Sequence, residues 1–546
     1  MSSFIERRAT TAAALIALLA AGLAGTGVAR AEDVPAKGGT LIYATDREPT
    51  CLDPHVDGDM PQVFVAQQYT DSLVSQDKDG RIGPWLAKDW TISDDGKVYT
   101  FHLRDDVTFT NGEKFNAAAV KANLDHIINP ATQSSTAGGY IQQYLKTETP
   151  DEHTAVVYLK KPYAAFLEVL AQGFLGIEAP SALARGRDEN CQSPVGSGPF
   201  KVVKWDRKSE IVFERNPDYK WAPPTAKHQG PAYLDRLVWK IIPEPSVRFA
   251  SLAGGNVDVI ESIPPEAEEG AAKDGNLTLL IKDRPGNPTN SALNTRRAPF
   301  DDIRVREAFV RSADIQGALD SVFFGRYQRA PGPLSAVTPF ASPDFQAHYD
   351  YDPDRANKLL DEAGWSERNA NGYRIKDGKT LTVEVLIGDF QGPAERSLWE
   401  QIQATAAETG FEVKLQNLGF SEWLDRMGKW QYDAVGEYWN TNTADVLRIV
   451  FSSEFLGAAG SGGYHQNATG FSNPAFDEVV NKALETTEEG KRRALYLDAQ
   501  KIIASNYLQV LTFPQSTRLG IYKTAQGVRL EPSLSVPVLY DAWVRK

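Results

Sequence analysis

The chain has 546 residues, 42% of them hydrophobic and 24% charged, with a formal net charge of −13. That length exceeds what one hydrophobic core supports, so two or three structural domains are expected, and the average composition excludes a disordered or disulfide-dense small scaffold. The acidic balance, with no Lys/Arg-rich run, excludes nucleic acid and anionic membrane surfaces as partners, because both are bound by clustered cations.

The first element is an export signal. Arg7-Arg8 precede an uncharged apolar run over 12–24, and Ala29-Arg30-Ala31 places small residues where a signal peptidase needs them. Cleavage is expected after Ala31, leaving a mature protein in the periplasm. The apolar run is shorter than the roughly 20 residues of a membrane span, so no membrane insertion is expected. The arginine pair leaves general secretion and the twin-arginine route both open.

A strand is expected over 38–44, ending in the polar group Thr45-Asp46-Arg47-Glu48. Cys51 and Cys191 are the only cysteines. In an oxidising compartment they should pair, closing a loop of about 140 residues worth roughly 4 to 5 kcal/mol in the chain-entropy model. Strands over 89–93 and 98–103 flank Asp94-Asp95-Gly96, a hairpin turn by composition. Asn116 can cap a helix over 117–128. Further on, Asp354 can cap a helix over 355–363 that stops at Gly364. A strand over 381–387, a helix over 394–408 with Gly410 as its stop, a strand over 412–415 and a helix over 422–427 lead into the segment 432–445, YDAVGEYWNTNTAD.

That segment reads as a strand running into a polar loop. Tyr438 and Trp439 offer an aromatic face, and Asn440, Thr441, Asn442, Thr443 and Asp445 offer hydrogen-bonding groups, a combination suited to a small-molecule site. A core tryptophan followed by an Asn/Thr turn is the alternative. Strand, helix, strand, helix, strand implies an α/β unit with parallel pairing, and this loop then lies at a strand's carboxyl end, where open α/β sheets bind ligands.

Enzyme signatures are missing from the sequence. Ala459-Gly460-Ser461-Gly462-Gly463 lacks the first glycine of a nucleophile elbow. The seven histidines are never spaced by three or four residues, and neither H-E-x-x-H nor C-x-x-C occurs. No cofactor and no prebuilt metal site are expected. An exported hydrolase using distant carboxylates remains an alternative.

An ordered set of motifs resembles the family 5 extracytoplasmic solute-binding proteins, the dipeptide, oligopeptide and nickel receptors of ABC importers. The set runs from Trp85-Leu86-Ala87-Lys88-Asp89-Trp90 and Leu103-Arg104-Asp105-Asp106-Val107 through Pro194-Val195-Gly196-Ser197-Gly198-Pro199-Phe200 and Leu252-Ala253-Gly254-Gly255-Asn256-Val257-Asp258 to Asn473-Pro474-Ala475-Phe476-Asp477. It spans nearly all of the mature chain. The resemblance implies an α/β, two-lobed periplasmic binding protein fold with a hinge and an additional inserted domain. Lobe I would comprise 32–75, 195–284 and 510–546, the inserted domain 76–194, and lobe III 285–508.

The function implied is capture of a peptide-like or other small polar organic ligand between the lobes, by a monomer that delivers it to a permease and ATPase complex in the inner membrane. Because only contacts made in the closed state drive closure, both lobes should supply ligand-binding residues. Asp46, Arg47 and Glu48 would form one wall; Tyr438, Trp439, Asn440, Asn442 and Asp445 would form the other, with Tyr464 and His465 in addition. Peptide-binding members resembling this chain carry Asp three residues after the loop tryptophan, where Asn442 stands here, so a ligand with a neutral end is expected. A nickel-chelate receptor using His465 is the alternative within the family.

Overall fold

The structure is a computed structural model that describes residues 34–457 and 465–545; the export signal and Tyr464 lie outside them. Residues Lys37–Lys546 form one compact unit, and the description below concerns that unit.

Three sheets organise it. In the first, of seven strands, the order is Leu277–Asp283, Ser516–Tyr522, Val259–Glu261, Thr40–Thr45, Arg236–Ile241, Glu210–Arg215 and Phe200–Asp206. Thr40–Thr45 sits near its centre and pairs in parallel with both neighbours. Leu41, Tyr43 and Ala44 are fully buried there, as a strand covered on both faces requires. The second sheet has five strands in the order Glu412–Leu418, Thr382–Gly388, Ala434–Asn440, Gly286–Leu293 and Gln509–Leu511. The third is a four-stranded antiparallel sheet of Ala87–Ile92, Val98–Leu103, Thr154–Leu159 and Tyr144–Asp151.

The strand and helix alternation after 381 forms as its periodicity predicts. Thr382–Gly388 pairs in parallel with Glu412–Leu418 and with Ala434–Asn440, and the helices Pro393–Thr409 and Phe420–Gly428 make the crossovers. Gly410 ends the longer helix in the left-handed conformation, φ +105°. The Asn116 side chain accepts from the Ala119 N–H at 3.1 Å and caps Ala117–Ile128. One start is displaced from expectation. Helix Pro353–Glu362 is capped by Asp352, not Asp354. Pro353 occupies the first helical position, where its missing N–H costs nothing, and so draws the start two residues earlier.

Cys51 and Cys191 are bonded across 140 residues and packed on Val56. Among the described residues no helix is long and apolar enough to cross a membrane. The chain passes from the first sheet to the second between Asp283 and Gly286, and returns between Leu511 and Ser516.

The outgoing passage has a tight steric condition. Gly286 pairs with Asn440 and Asn287 with Trp439. Gly286 has φ +126°, and a Cβ there would lie 2.0 Å from the Trp439 carbonyl oxygen and 2.8 Å from the Thr441 nitrogen. Only glycine lets the two backbones approach this closely. Gly286→Ala should therefore lower stability by about 2 kcal/mol or more, measured as a fall in the guanidinium midpoint. Replacing both cysteines by alanine should remove up to roughly 4 to 5 kcal/mol, seen as a lower midpoint that matches the reduced wild type.

Candidate functional site

A cavity of about 340 Å³ opens between the chain leaving the first sheet and the strand Ala434–Asn440 of the second. From the first sheet, the chain leaving strand Thr40–Thr45 contributes Arg47, Glu48 and Thr50, followed by 57–60. The Arg47 guanidinium grips Asp59: Nη2 donates to Oδ1 at 2.9 Å and Nη1 to Oδ2. Asp59 is also the N-cap of helix Met60–Ala66 and accepts from the Met60 N–H at 2.8 Å. The helix start thus orients the carboxylate, and the carboxylate holds the arginine. Glu48 accepts from the Lys208 N–H at 2.9 Å.

The second sheet supplies the opposite wall through strand Ala434–Asn440, of which Gly436, Glu437, Tyr438, Trp439 and Asn440 line the cavity. The Trp439 ring stands edge-on to Tyr140, whose hydroxyl donates to the Asn440 carbonyl at 2.5 Å. Tyr140 and Phe174 come from the segments around the third sheet. An apolar flank is completed by Phe390, Phe420, Trp423, Leu424 and Met427, with Phe390 edge-on to Trp423 at 5.3 Å. Aromatic and aliphatic area with a few polar groups is the make-up of a small-molecule site.

Three polar atoms in this lining are orphaned. Trp439 Nε1, Asn440 Nδ2 and Glu437 Oε1 are buried and meet no hydrogen-bond partner among the described residues. Burial without a neighbouring cation pushes the Glu437 carboxyl up to about 8. Buried polar groups are normally paired, and these three exceptions all fall on the strand that walls the cavity.

Arg47, Glu48, Tyr438, Trp439 and Asn440 thus converge on one cavity. Four other sequence-derived candidates do not line it. Asn442 donates from Nδ2 to Gln76 Oε1 (2.8 Å) and the Glu168 carbonyl (2.7 Å), and accepts from Gln172 Nε2 (2.6 Å). Its amide is fully used in holding the loop. Asp445, fully buried, receives Arg448 Nε and Nη2 at 3.0 and 2.8 Å in a bidentate pair. His465 stacks on Trp430 at 4.1 Å and donates from Nε2 to the Gly428 carbonyl. Asp46 accepts from the Thr45 hydroxyl outside the lining. Tyr464 lies outside the described residues. These internal bonds, and not the cavity, take up the Asn442 side chain.

Sequence reasoning missed Asp59, Glu437 and the apolar flank. The flank was legible: Phe420, Trp423, Leu424 and Met427 follow the i, i+3, i+4, i+7 pattern of one helix face. Glu437 carried only a weak signal, an acid inside a short strand. Histidine spacing also concealed a buried cluster in which Asp53, His55 and His126 bring ligating atoms within 4.8 Å of one another. Its groups bond among themselves, His126 Nε2 to Asp53 Oδ2 at 2.9 Å and His55 N–H to Asp53 Oδ1 at 2.8 Å, away from the cavity lining.

Burial likewise pushes Glu395 up to about 7. Both values exceed the roughly 4.3 of an unfolded glutamate, so stability from these two groups is complete below that value and is lost as pH rises through their folded values. The thermal midpoint should fall from about pH 4.5 to about pH 8 and level off above it, and Glu437→Gln should make the decline shallower and end it near pH 7, measured by scanning fluorimetry at constant ionic strength.

Comparison with known proteins follows the same lines. Residues 81–457 match the family described as bacterial extracellular solute-binding proteins, family 5 middle. The chain is 27% identical over 512 residues to the probable D,D-dipeptide-binding periplasmic protein DdpA of Escherichia coli, covering 90% of this chain and 92% of that one. It is 30% identical over 465 residues to the glutathione-binding protein GsiB of Salmonella typhi, covering 85% and 86%. Among solved structures, the periplasmic binding protein DppA of Helicobacter pylori in complex with the peptide STSA superimposes with a TM-score of 0.80 at 24% identity, over 94% of this chain and 99% of that one.

Proposed function

The chain belongs to family 5 of the bacterial extracellular solute-binding proteins, and from that premise we propose that it captures a peptide-like or other small polar organic solute in the cavity between Arg47 and Trp439 and presents it to an ABC importer. The observation that carries the reading is the cavity itself: its walls come from separate sheets, and Trp439 Nε1 and Asn440 Nδ2 have no internal partner. The printed names of the two relatives, a D,D-dipeptide and a glutathione receptor, support a peptide-like ligand.

The mechanism follows from the connections. The lobes proposed are 32–75, 195–284 and 510–546 on one side and 285–508 on the other, with 76–194 inserted. Two strand-to-strand passages, at 283–286 and 511–516, join the first and second sheets and form the hinge. A solute touching both walls binds the closed form better than the open one, and that difference in affinity drives closure. The closed form is the one the permease and ATPase complex recognises. Export after cleavage behind Ala31 delivers a monomer to the periplasm, where the Cys51–Cys191 bond is maintained. In this reading the protein binds and releases its solute unchanged. His465 is stacked away from the cavity, and no histidine or cysteine is in the described lining, which favours an organic solute over a metal chelate.

Native mass spectrometry of protein purified gently from periplasm should show a bound small molecule, released intact on denaturation. Trp439→Ala should weaken rebinding of that molecule by about 30-fold or more, as loss of a central aromatic contact does. A chemically converted product, or rebinding unaffected by Trp439→Ala, would count against the proposal.

A further inference from the structure

The described cavity lining carries four carboxyls, Glu48, Asp57, Asp59 and Glu437, against one guanidinium, Arg47. Three of the four are engaged. Asp59 holds Arg47, Asp57 receives Arg187 Nη2 at 3.1 Å, and Glu48 accepts from the Lys208 N–H. The Glu437 carboxyl meets no hydrogen-bond or ion-pair partner among the described residues, and its Oε1 is buried. The charged groups on the elements packed around it are committed or turned to water: Arg426 pairs with Glu384 at 3.0 Å, Arg297 with Asp433 at 3.1 Å, and Asp389 is exposed. Tyr432, at the approach to the same strand, donates its hydroxyl to the Ala468 carbonyl, and the facing strand Gly286–Leu293 offers Asn290, whose Nδ2 reaches the Glu437 backbone carbonyl at 3.3 Å.

An isolated carboxyl in an apolar surround is costly to ionise. What it can do that a glutamine could not is to ionise when a cation arrives, in a place where the attraction is little screened. Among the described lining residues Arg47 is the only cation and is already neutralised by Asp59, so a solute carboxylate finds no free countercharge there. We propose that Glu437 anchors a protonated nitrogen of the solute, so that the ligand class is an amine-bearing molecule with an apolar body against Trp439, Trp423 and Phe390. This rests on reading the cavity as the solute site. Trp439 Nε1 and Asn440 Nδ2, on the same strand, donate to acceptor atoms of that molecule. The step balances: the ammonium keeps its proton, Glu437 gives its own proton to water, and one positive charge enters as one leaves.

The test uses leucylphenylalanine amide, phenethylamine and agmatine as cationic probes, with the N-acetyl and N-succinyl derivatives of each as neutral and anionic counterparts. Thermal shift and calorimetry are run on the mature, disulfide-intact protein. Cationic members should bind, their N-acyl counterparts should bind at least about tenfold more weakly, and binding near pH 7 should release a proton, visible as a buffer-dependent enthalpy. Glu437→Gln, which preserves shape, should abolish both the preference and the proton release while the protein stays folded. The inference is overturned if no cationic probe binds, or if Glu437→Gln leaves the preference intact. Trp439-dependent binding of the acylated probes alone would overturn it while leaving the solute-binding reading standing.

Discussion

The close approach of Gly286 to Trp439 is the constraint on which the rest depends. The strand that begins at Gly286 is the first to follow the passage between the two larger sheets, and it pairs along its length with the strand that ends in Trp439 and Asn440. The passage between the two larger sheets and the cavity wall are therefore joined backbone to backbone. Displacing either alone would break ladder hydrogen bonds in a buried sheet, which is costly. In the proposed reading, a ligand pressing on Trp439 acts directly on the strand leaving the hinge.

Behind this wall the polar loop is held by groups that never reach the cavity. Asn442 uses its whole amide on Gln76, Glu168 and Gln172, and Asp445 is locked to Arg448 with both fully buried. Gln172 also donates to the Thr441 hydroxyl. Burying this much polarity is tolerable because the Asn442 amide and the Asp445–Arg448 pair meet partners on every side. It fixes the direction in which the strand end projects Trp439. The loop's polarity is thus mainly structural, and recognition is left to the atoms the network does not consume.

Those atoms give the cavity its character. The apolar flank of Phe390, Phe420, Trp423 and Met427 provides area, while orientation is left to Trp439 Nε1, Asn440 Nδ2 and Glu437. A low-dielectric surround makes each such group count for more than it would in water. It also explains why Glu437 is held in its neutral form. The site combines breadth in shape with selectivity in charge.

Much of this was determined by the sequence alone. The alternation from 381 to 440, the caps at Asn116 and Gly410 and the paired cysteines all follow from local rules: periodicity, φ preference and turn chemistry acting over a few residues. The motif order likewise carried the family, because it is a property of the linear chain. What only the tertiary structure decided was which polar side chains stay free. Asn442 and Asp445 look like ligand groups in the sequence until Gln76, Glu168, Gln172 and Arg448 arrive to satisfy them, three of these four from more than 200 residues away. Glu437 looks like an ordinary strand residue until burial leaves it without a partner. Whether a polar group recognises a ligand depends on what remains unpaired after folding, and pairing across such separations is invisible to any local reading of the chain.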